Sequence, residues 1–303
     1  MPDGDVRETT GAAVLTGAVP TRLRARRRSA SGRPPYVAFC GLGLFVVVAV
    51  FAPLISPLSP TAIDLGSAQS PPFWAESGTT HHLLGTDKLG RDVLSRVLYG
   101  ARPALTVALA SVAIAAVIGS IIGIVAAYFG RTVDQVLMRL VDIMLSFPAL
   151  LLALLLAARF GAGLGNVIVV ISLVLWASYA RQVRSAGLVV MKQEYVTLAR
   201  SGGLGMGIMR RHLLPNVINT IIVMGTLQLG IVVILEASLS FVGVGVPPPD
   251  PTWGGMISDG RGLIDSSWWL SVFPGLAIVL LVLAVNVVGE WLETYLDPRR
   301  RDR

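Results

Sequence analysis

Apolar residues gather in long stretches along this chain, and polar residues collect in the gaps between them. Six stretches stand out, at Val37–Leu58, Ala104–Phe129, Val133–Ala158, Val167–Val183, Leu213–Val242 and Leu270–Leu292. Each reaches or approaches the ~20 residues that a helix needs to cross the hydrocarbon core of a bilayer. The pattern predicts an all-α, polytopic membrane protein with six transmembrane helices. The fourth stretch is diluted by Ser172, Trp176, Ser178 and Tyr179, which predicts that it faces other helices rather than lipid. Gly119 and Gly123 in the second stretch form a small-xxx-small pair, of the kind that lets two helices approach closely.

Composition agrees with the pattern. The mean hydropathy is +0.70 and only 14% of the 303 residues are charged. The net charge of +7 does not point to nucleic acid, because the basic residues sit beside apolar stretches. Cys40 is the single cysteine and lies in an apolar run, so no internal disulfide is possible. The first apolar run is too long for a signal-peptide core and reads as a retained anchor.

Lysine and arginine give the orientation. With the N-terminus inside, the inner side receives 19 of the 25 basic residues and the outer side 6, and the opposite topology inverts the ratio. Both ends are therefore expected in the cytoplasm. The tail 1–35, with Arg22, Arg24, Arg26, Arg27, Arg28 and Arg33, is expected to be disordered and held inside by its charge. Each such charge near an anionic leaflet is attracted by roughly 1 kcal/mol. The division expected is a basic tail over 1–35, a first transmembrane helix with a long outside loop over 36–103, a five-helix core over 104–292 with a cytoplasmic segment over 187–214, and a basic tail over 293–303.

Little in the chain suggests chemistry of its own. The pattern Gly, four residues, Gly-Lys-Ser/Thr that cradles nucleotide phosphates is absent, so no ATP site of that type is expected here. His81 and His82 do not suggest a metal site with Asp87, since adjacent residues of a strand point to opposite faces. Ionisable residues inside apolar stretches are the exceptions to explain. Arg139 and Asp142, three apart, are expected to pair near the inner surface. Glu236 and Asn286 are candidate path-lining residues, with helix packing the alternative for Glu236.

Three segments carry fixed spacings of polar and small residues. The first is Glu194–Asn216, which is basic, interrupted by Gly202, Gly203, Gly205 and Gly207, and closed by Leu213, Leu214 and Pro215. It predicts two short helices joined by a bend at the membrane surface, exposing Val196, Leu198, Leu204, Met206 and Ile208. The second segment holds Gly85, Thr86, Asp87, Gly90, Arg91, Asp92, Ser95 and Arg96. It predicts an interfacial helix capped by Thr86 or Asp87, with Val93, Leu94, Val97 and Leu98 on one face, leading into the second span. The third runs from Gly243 through the Pro247–Pro249 run, read as stiff and extended, to Trp253, Trp268, Trp269 and Phe273-Pro274-Gly275. Its tryptophans suit the outer interface.

Taken in their order along the chain, the three segments resemble the permease subunits of bacterial ABC importers for dipeptides, oligopeptides and nickel. The first resembles the coupling motif of those permeases, Glu-Ala-Ala, three residues, Gly, nine residues, Ile-x-Leu-Pro. Here Thr197, Leu198 and Ala199 stand for the triplet, Gly203 for the glycine and Leu214-Pro215 for the close. Thr197 replaces the acidic residue, and the distance from Gly203 to Pro215 is one residue short; Gly202 is the alternative motif glycine. The resemblance implies a type I ABC-importer permease architecture in a bacterial inner membrane. It implies partner ATPase subunits docked on Glu194, Tyr195, Thr197, Leu198, Ala199, Arg200, Gly203, Leu204, Leu214 and Pro215. It further implies a homologous second permease, an external solute-binding protein, and ATP and magnesium held by the partners with no cofactor on this chain. The competing expectation is a secondary transporter working without ATPase, which needs paired acids near the midplane and usually an internal repeat.

Overall fold

The computed structural model describes residues 34–296. The basic tails read from the sequence fall almost wholly outside them. Among the described residues there are nine α-helices and no β-strand. Four of them, α1 (Tyr36–Ile55), α2 (Val93–Phe129), α5 (Leu164–Met191) and α9 (Trp269–Leu296), are long and apolar enough to cross a membrane. So is α7 (Leu214–Val242), together with the turn of π-helix at Met209–Leu213 that precedes it.

The third apolar stretch is not one straight span. It is two helices, α3 (Arg131–Ser146) and α4 (Ala149–Phe160), bent by 89°. The cause is Phe147-Pro148. Proline has no N–H for the helix ladder and pushes the residue before it out of the helical region, and Phe147 is extended at φ −88°, ψ 137°. The second stretch differs in the other direction. The expected interfacial helix and the expected span are one continuous helix, α2, of 37 residues. At 1.5 Å per residue it is about 55 Å long, well beyond the ~30 Å hydrocarbon core.

The most extensive contact joins α2 to α5. Gly119 and Gly123 make it possible: a β-carbon on Gly119 would stand 2.4 Å from the Trp176 carbonyl oxygen, and one on Gly123 2.7 Å from that of Ala180. Ser172, Trp176 and Tyr179 of α5 are buried against this neighbour and its surroundings and Ser178 is half-buried, so three of the four residues that dilute the stretch face helices. Helix α5 runs on past Val183 because Arg181 and Arg184 find acidic partners on α3.

Residues 56–92 fold into a cap on the start of α2. Two glycines with left-handed backbone shape it. Gly85 (φ +81°) passes so close to Ser70 that a β-carbon would lie 2.6 Å from its carbonyl oxygen, and on Gly90 (φ +72°) it would run into the Asp64 backbone. The start of α2 is capped by Asp92, whose Oδ2 accepts from the Ser95 N–H, not by Thr86 or Asp87 as the spacing suggested. Asp87 instead closes its own turn, accepting from the backbone N–H groups of Leu89 and Arg91 and from Arg91 Nε at 2.6 Å. Arg96 is buried beside it, with Nε 3.7 Å from Asp87 Oδ2. Trp269 of α9 donates to the Thr86 carbonyl (3.1 Å), and Trp253, on the short helix α8 (Trp253–Gly260), donates to that of Val97 (2.9 Å). These bonds fasten the second and third motif segments together. The proline run before α8 is a turn with a cis bond between Pro248 and Pro249, not an extended rod.

Candidate functional site

The Glu194–Asn216 segment folds as one short helix, α6 (Glu194–Ser201), and a turn that leads straight into the π turn at the start of α7, not as the two separate short helices expected. Its end is a Schellman closure. Gly203 N–H donates to the Arg200 carbonyl and Leu204 N–H to that of Ala199, both at 3.1 Å. The residue at the bend must be left-handed, and that residue is Gly203 (φ +80°); Gly202 has φ −77°. The backbone requirement for glycine therefore falls on Gly203. Pro215 lies in the first turn of α7. It offers no N–H to the turn before it, where the helix widens.

The segment has two sides. Val196 and Ile208, expected to be exposed, are 1% and 0% exposed. With Leu213 they form a separate apolar cluster with Ile124 and Ala127 of α2, Val183 of α5 and Val217 of α7. Arg200 lies over the Tyr128 ring at 6.0 Å, and Tyr195 packs on His212 at 5.6 Å between ring centres. The other side stays open: Leu198 and Met206 are each 72% exposed, and Tyr195, Leu204 and Leu214 are also exposed. Glu194, Thr197, Arg200, Gly203 and Pro215 share that exposure, and Ala199 is half-buried. Thr197, in the place of the expected acid, turns its hydroxyl back to the Gln193 carbonyl (3.3 Å). The segment thus keeps an apolar anchor to three spans and shows apolar side chains outward.

Beside it, α3 is tied to α5 by ions. Arg184 makes a two-pronged contact with Asp134, with both distances 2.5 Å, and Arg181 meets Asp142 at 2.6 Å. The expected Arg139–Asp142 pair does not form; Arg139 is exposed and makes no ion pair among the described residues. The signal missed in the sequence was arginine and acid at matching depth on two different stretches, which spacing along one helix cannot reveal.

Glu236 is 1% exposed and its Oε1 accepts from Ser240 Oγ (2.7 Å), one turn along α7. Asn286 of α9 is half-buried, with its side chain against Gly230 of α7, where a β-carbon would stand 2.9 Å from its oxygen. In this conformation Glu236 is buried and hydrogen-bonded within its own helix, and Asn286 packs against α7. His81 and His82 lie in a turn, not a strand, and their rings meet.

An all-α bundle of apolar helices, with a hydrogen-bonded cap at one end and a two-sided helical segment at the other, has the architecture of a multi-pass membrane protein. Residues 117–302 match the family described as binding-protein-dependent transport system inner membrane component, and the chain belongs to that family. It is 44% identical over 266 residues to the dipeptide transport system permease protein DppC of Escherichia coli K12, covering 86% of this chain and 89% of that one. It is 40% identical over 260 residues to the di/tripeptide transport system permease protein DppC of Pseudomonas aeruginosa, 86% of each chain, and 37% identical to the DppC of Alkalihalophilus pseudofirmus, 85% of this chain and 83% of that. The protein is thus a multi-pass inner-membrane permease subunit and not an enzyme in its own right.

Proposed function

We propose that this chain is one of two permease subunits of an ATP-driven, binding-protein-dependent importer of short peptides. Its relatives are named for dipeptide and di/tripeptide transport, which supports the substrate class. The observation that carries the mechanism is the two-sided Glu194–Asn216 segment. A solvated loop has no need of Leu198 and Met206, each 72% exposed, on a segment already anchored by Val196 and Ile208. The open side fits a groove on an ATPase subunit, which holds the ATP and magnesium. The charge bias of 19 to 6 supports placing that segment in the cytoplasm and the cap outside, where a solute-binding protein delivers peptide.

The path then runs between this chain and a second, homologous permease. Closure of the ATPase pair pushes α6, and the anchored cluster transmits the push to α2, α5 and α7. The bundle rocks between inward and outward openings, a two-state equilibrium biased by nucleotide. Glu236 and Asn286 reach the path only in a state where α7 and α9 part. The secondary-transporter reading would need a second acid beside Glu236, and the partner there is Ser240.

The test is Leu198→Asp and Met206→Asp in the reconstituted importer. Both side chains are exposed, so insertion and pairing of the permeases should persist, while copurified ATPase subunit and ATP-driven peptide uptake fall together. Normal ATPase copurification with normal uptake in both variants would remove this segment as the coupling element.

A further inference from the structure

Helix α3 has three faces rather than two. At about 100° per residue, Asp134, Leu137 and Val141 fall on one side, Val136, Leu140 and Ile143 on a second, and Gln135, Arg139 and Asp142 on a third, each roughly 120° from the next. The first side meets the bundle: Val141 is fully buried, and Asp134 and Leu137 are half-buried. The second is open and apolar, with Val136, Leu140 and Ile143 all exposed. The third is open and polar. A helix set at a wall of protein, with oil on one flank and water on the other, needs this division. We propose that α3 lies in the plane of the inner leaflet, with its second side on lipid chains and its third at the headgroups, and that α4 carries the chain across the hydrocarbon.

The neighbours of α3 give its direction. Helix α4 is followed by Gly161 to Gly163, and the Gly163 N–H donates to the Gly245 carbonyl (3.1 Å), just past the outer end of α7. So α4 points outward, and α3, at 89° to it, runs across that direction. The ion pairs agree. Asp134 and Asp142 are eight residues apart, about 12 Å along α3, whereas their partners Arg184 and Arg181 are three apart, about 4.5 Å along α5. Were the two helices side by side, the partner of Asp142 would stand near Trp176, eight residues before Arg184. Helix α3 therefore crosses α5 instead of following it, and of its 16 residues only Val141 is buried.

Length and charge fit the same placement. The 12 residues of α4 span about 18 Å, short of the ~30 Å core. An in-plane helix sinks roughly 5–10 Å into the boundary between headgroups and chains, which supplies most of the difference. Arg131, Asp134, Arg139 and Asp142 would be costly in hydrocarbon. At the boundary the two aspartates are taken up by α5, and Arg139, exposed and without an ion pair among the described residues, is left to headgroup phosphates. That the leaflet is the inner one rests on the orientation proposed above; the in-plane setting does not.

The test uses the assembled importer in nanodiscs. Single cysteines in a Cys40→Ala background carry a fluorophore, and the lipids carry a spin label near the headgroup or at the chain end. Probes at Val136, Leu140 and Ile143 should be quenched alike, mainly by the shallow label, and a probe at Gln135 by aqueous iodide. A probe at Leu155, exposed on α4, should answer mainly to the deep label. With the probe at Leu140, Arg139→Gln should lower quenching by shallow-labelled phosphatidylglycerol relative to phosphatidylcholine by up to about fivefold, the value of one charge at an anionic surface. The depth pattern is the same whichever way the chain faces, so an inverted topology would leave it standing. A depth that increases steadily from Val136 to Phe147 would make α3 part of a span. Probes at Val136, Leu140 and Ile143 that neither label reaches would put a protein partner on that side. Either result, or an unchanged lipid ratio in Arg139→Gln, would overturn the proposal.

Discussion

Gly203 is the position where strain and docking can be separated. At φ +80° it sits in the left-handed region, yet a β-carbon added there meets nothing within 4 Å. A substitution therefore costs no steric clash inside the chain, and the backbone alone sets the penalty. For an ordinary L-residue that penalty is about 1–2 kcal/mol, and asparagine escapes part of it. The chain can relieve it only by giving up the two 3.1 Å Schellman bonds to Arg200 and Ala199, which unwinds the end of α6. At 1.4 kcal/mol per factor of ten, Gly203→Ala should weaken ATPase docking by at most roughly 5- to 30-fold. The loss is smaller if the wound conformer has stability to spare. Gly203→Asn should be milder. Gly203→Asp adds a carboxylate in the open space where the partner is proposed to sit, and should be the most damaging of the three. The assay is binding of labelled ATPase subunit to the permease pair in nanodiscs, with peptide uptake in vesicles beside it. Equal effects of alanine and asparagine would refute the backbone argument. Wild-type docking and uptake by Gly203→Asp would refute the docking face.

Four further outcomes are expected. Gly119→Ala, whose new β-carbon would stand 2.4 Å from the Trp176 carbonyl oxygen, should lower the melting temperature and folded yield, whereas Gly165→Ala, with nothing within 4 Å, should not. A double-mutant cycle on Asp134 and Arg184 should return a coupling of about 1–2 kcal/mol in detergent unfolding, because the pair is half-buried and two-pronged; the exposed Asp142–Arg181 pair should return less than about 1 kcal/mol, and the reverse ranking would refute this reading of burial. Glu236→Gln keeps an oxygen for Ser240 and should preserve both assembly and transport per assembled complex; a selective loss of transport would instead make Glu236 a path residue. In a Cys40→Ala background, an impermeant thiol reagent applied to intact spheroplasts should label a cysteine at the exposed Thr79 and not one at the exposed Ser201, and the opposite pattern would invert the topology.

Much of the bundle is legible because a span is a local, length-limited demand. The first, fifth and last apolar stretches coincide with α1, α7 and α9 to within a few residues. The third stretch is bent rather than straight for a reason present in the sequence: Phe147-Pro148 breaks its helix, and an average of hydropathy passes over one proline. Helix α5 continues beyond the end of the fourth stretch at Val183, and Arg181 and Arg184 there meet Asp142 and Asp134 of another helix, partners that spacing along one stretch does not show. The cap motif announced itself by spacing, but Thr86 and Asp87, the caps that spacing suggests, are locally like Asp92, the cap the helix uses. The left-handed turn at Gly90 decides among them by spending Asp87 on its own N–H groups. The Glu194–Asn216 segment shows the same limit. Apolar residues on a short helix announce two possible faces, and whether Val196 or Leu198 turns inward depends on Ile124, Val183 and Val217, which lie on three other spans.

The two ends of the Glu194–Asn216 segment are not joined to the bundle in the same way, and under the proposed docking this sets the order in which a push would travel. On one side α6 follows α5 after only Lys192 and Gln193, and Val196 packs with Val183 of α5 and Ile124 of α2. Helices α5 and α2 are in turn locked along their length by the close approach at Gly119 and Gly123, and α3 is clamped to α5 by Asp134 and Asp142. On the other side the segment enters α7 through the π turn at Met209–Leu213, followed by Pro215. A widened turn next to a missing backbone bond is where a helix bends most readily. A force on Leu198 and Met206 would therefore move α2, α3 and α5 as one body, and α7 would follow through a joint. The far end of α2 lies under the cap, held by Asp92, Arg96 and the indoles of Trp253 and Trp269. A helix about 55 Å long thus connects the proposed docking face to the cap, so a tilt driven by the proposed ATPase partner would reshape the surface proposed to meet the solute-binding protein.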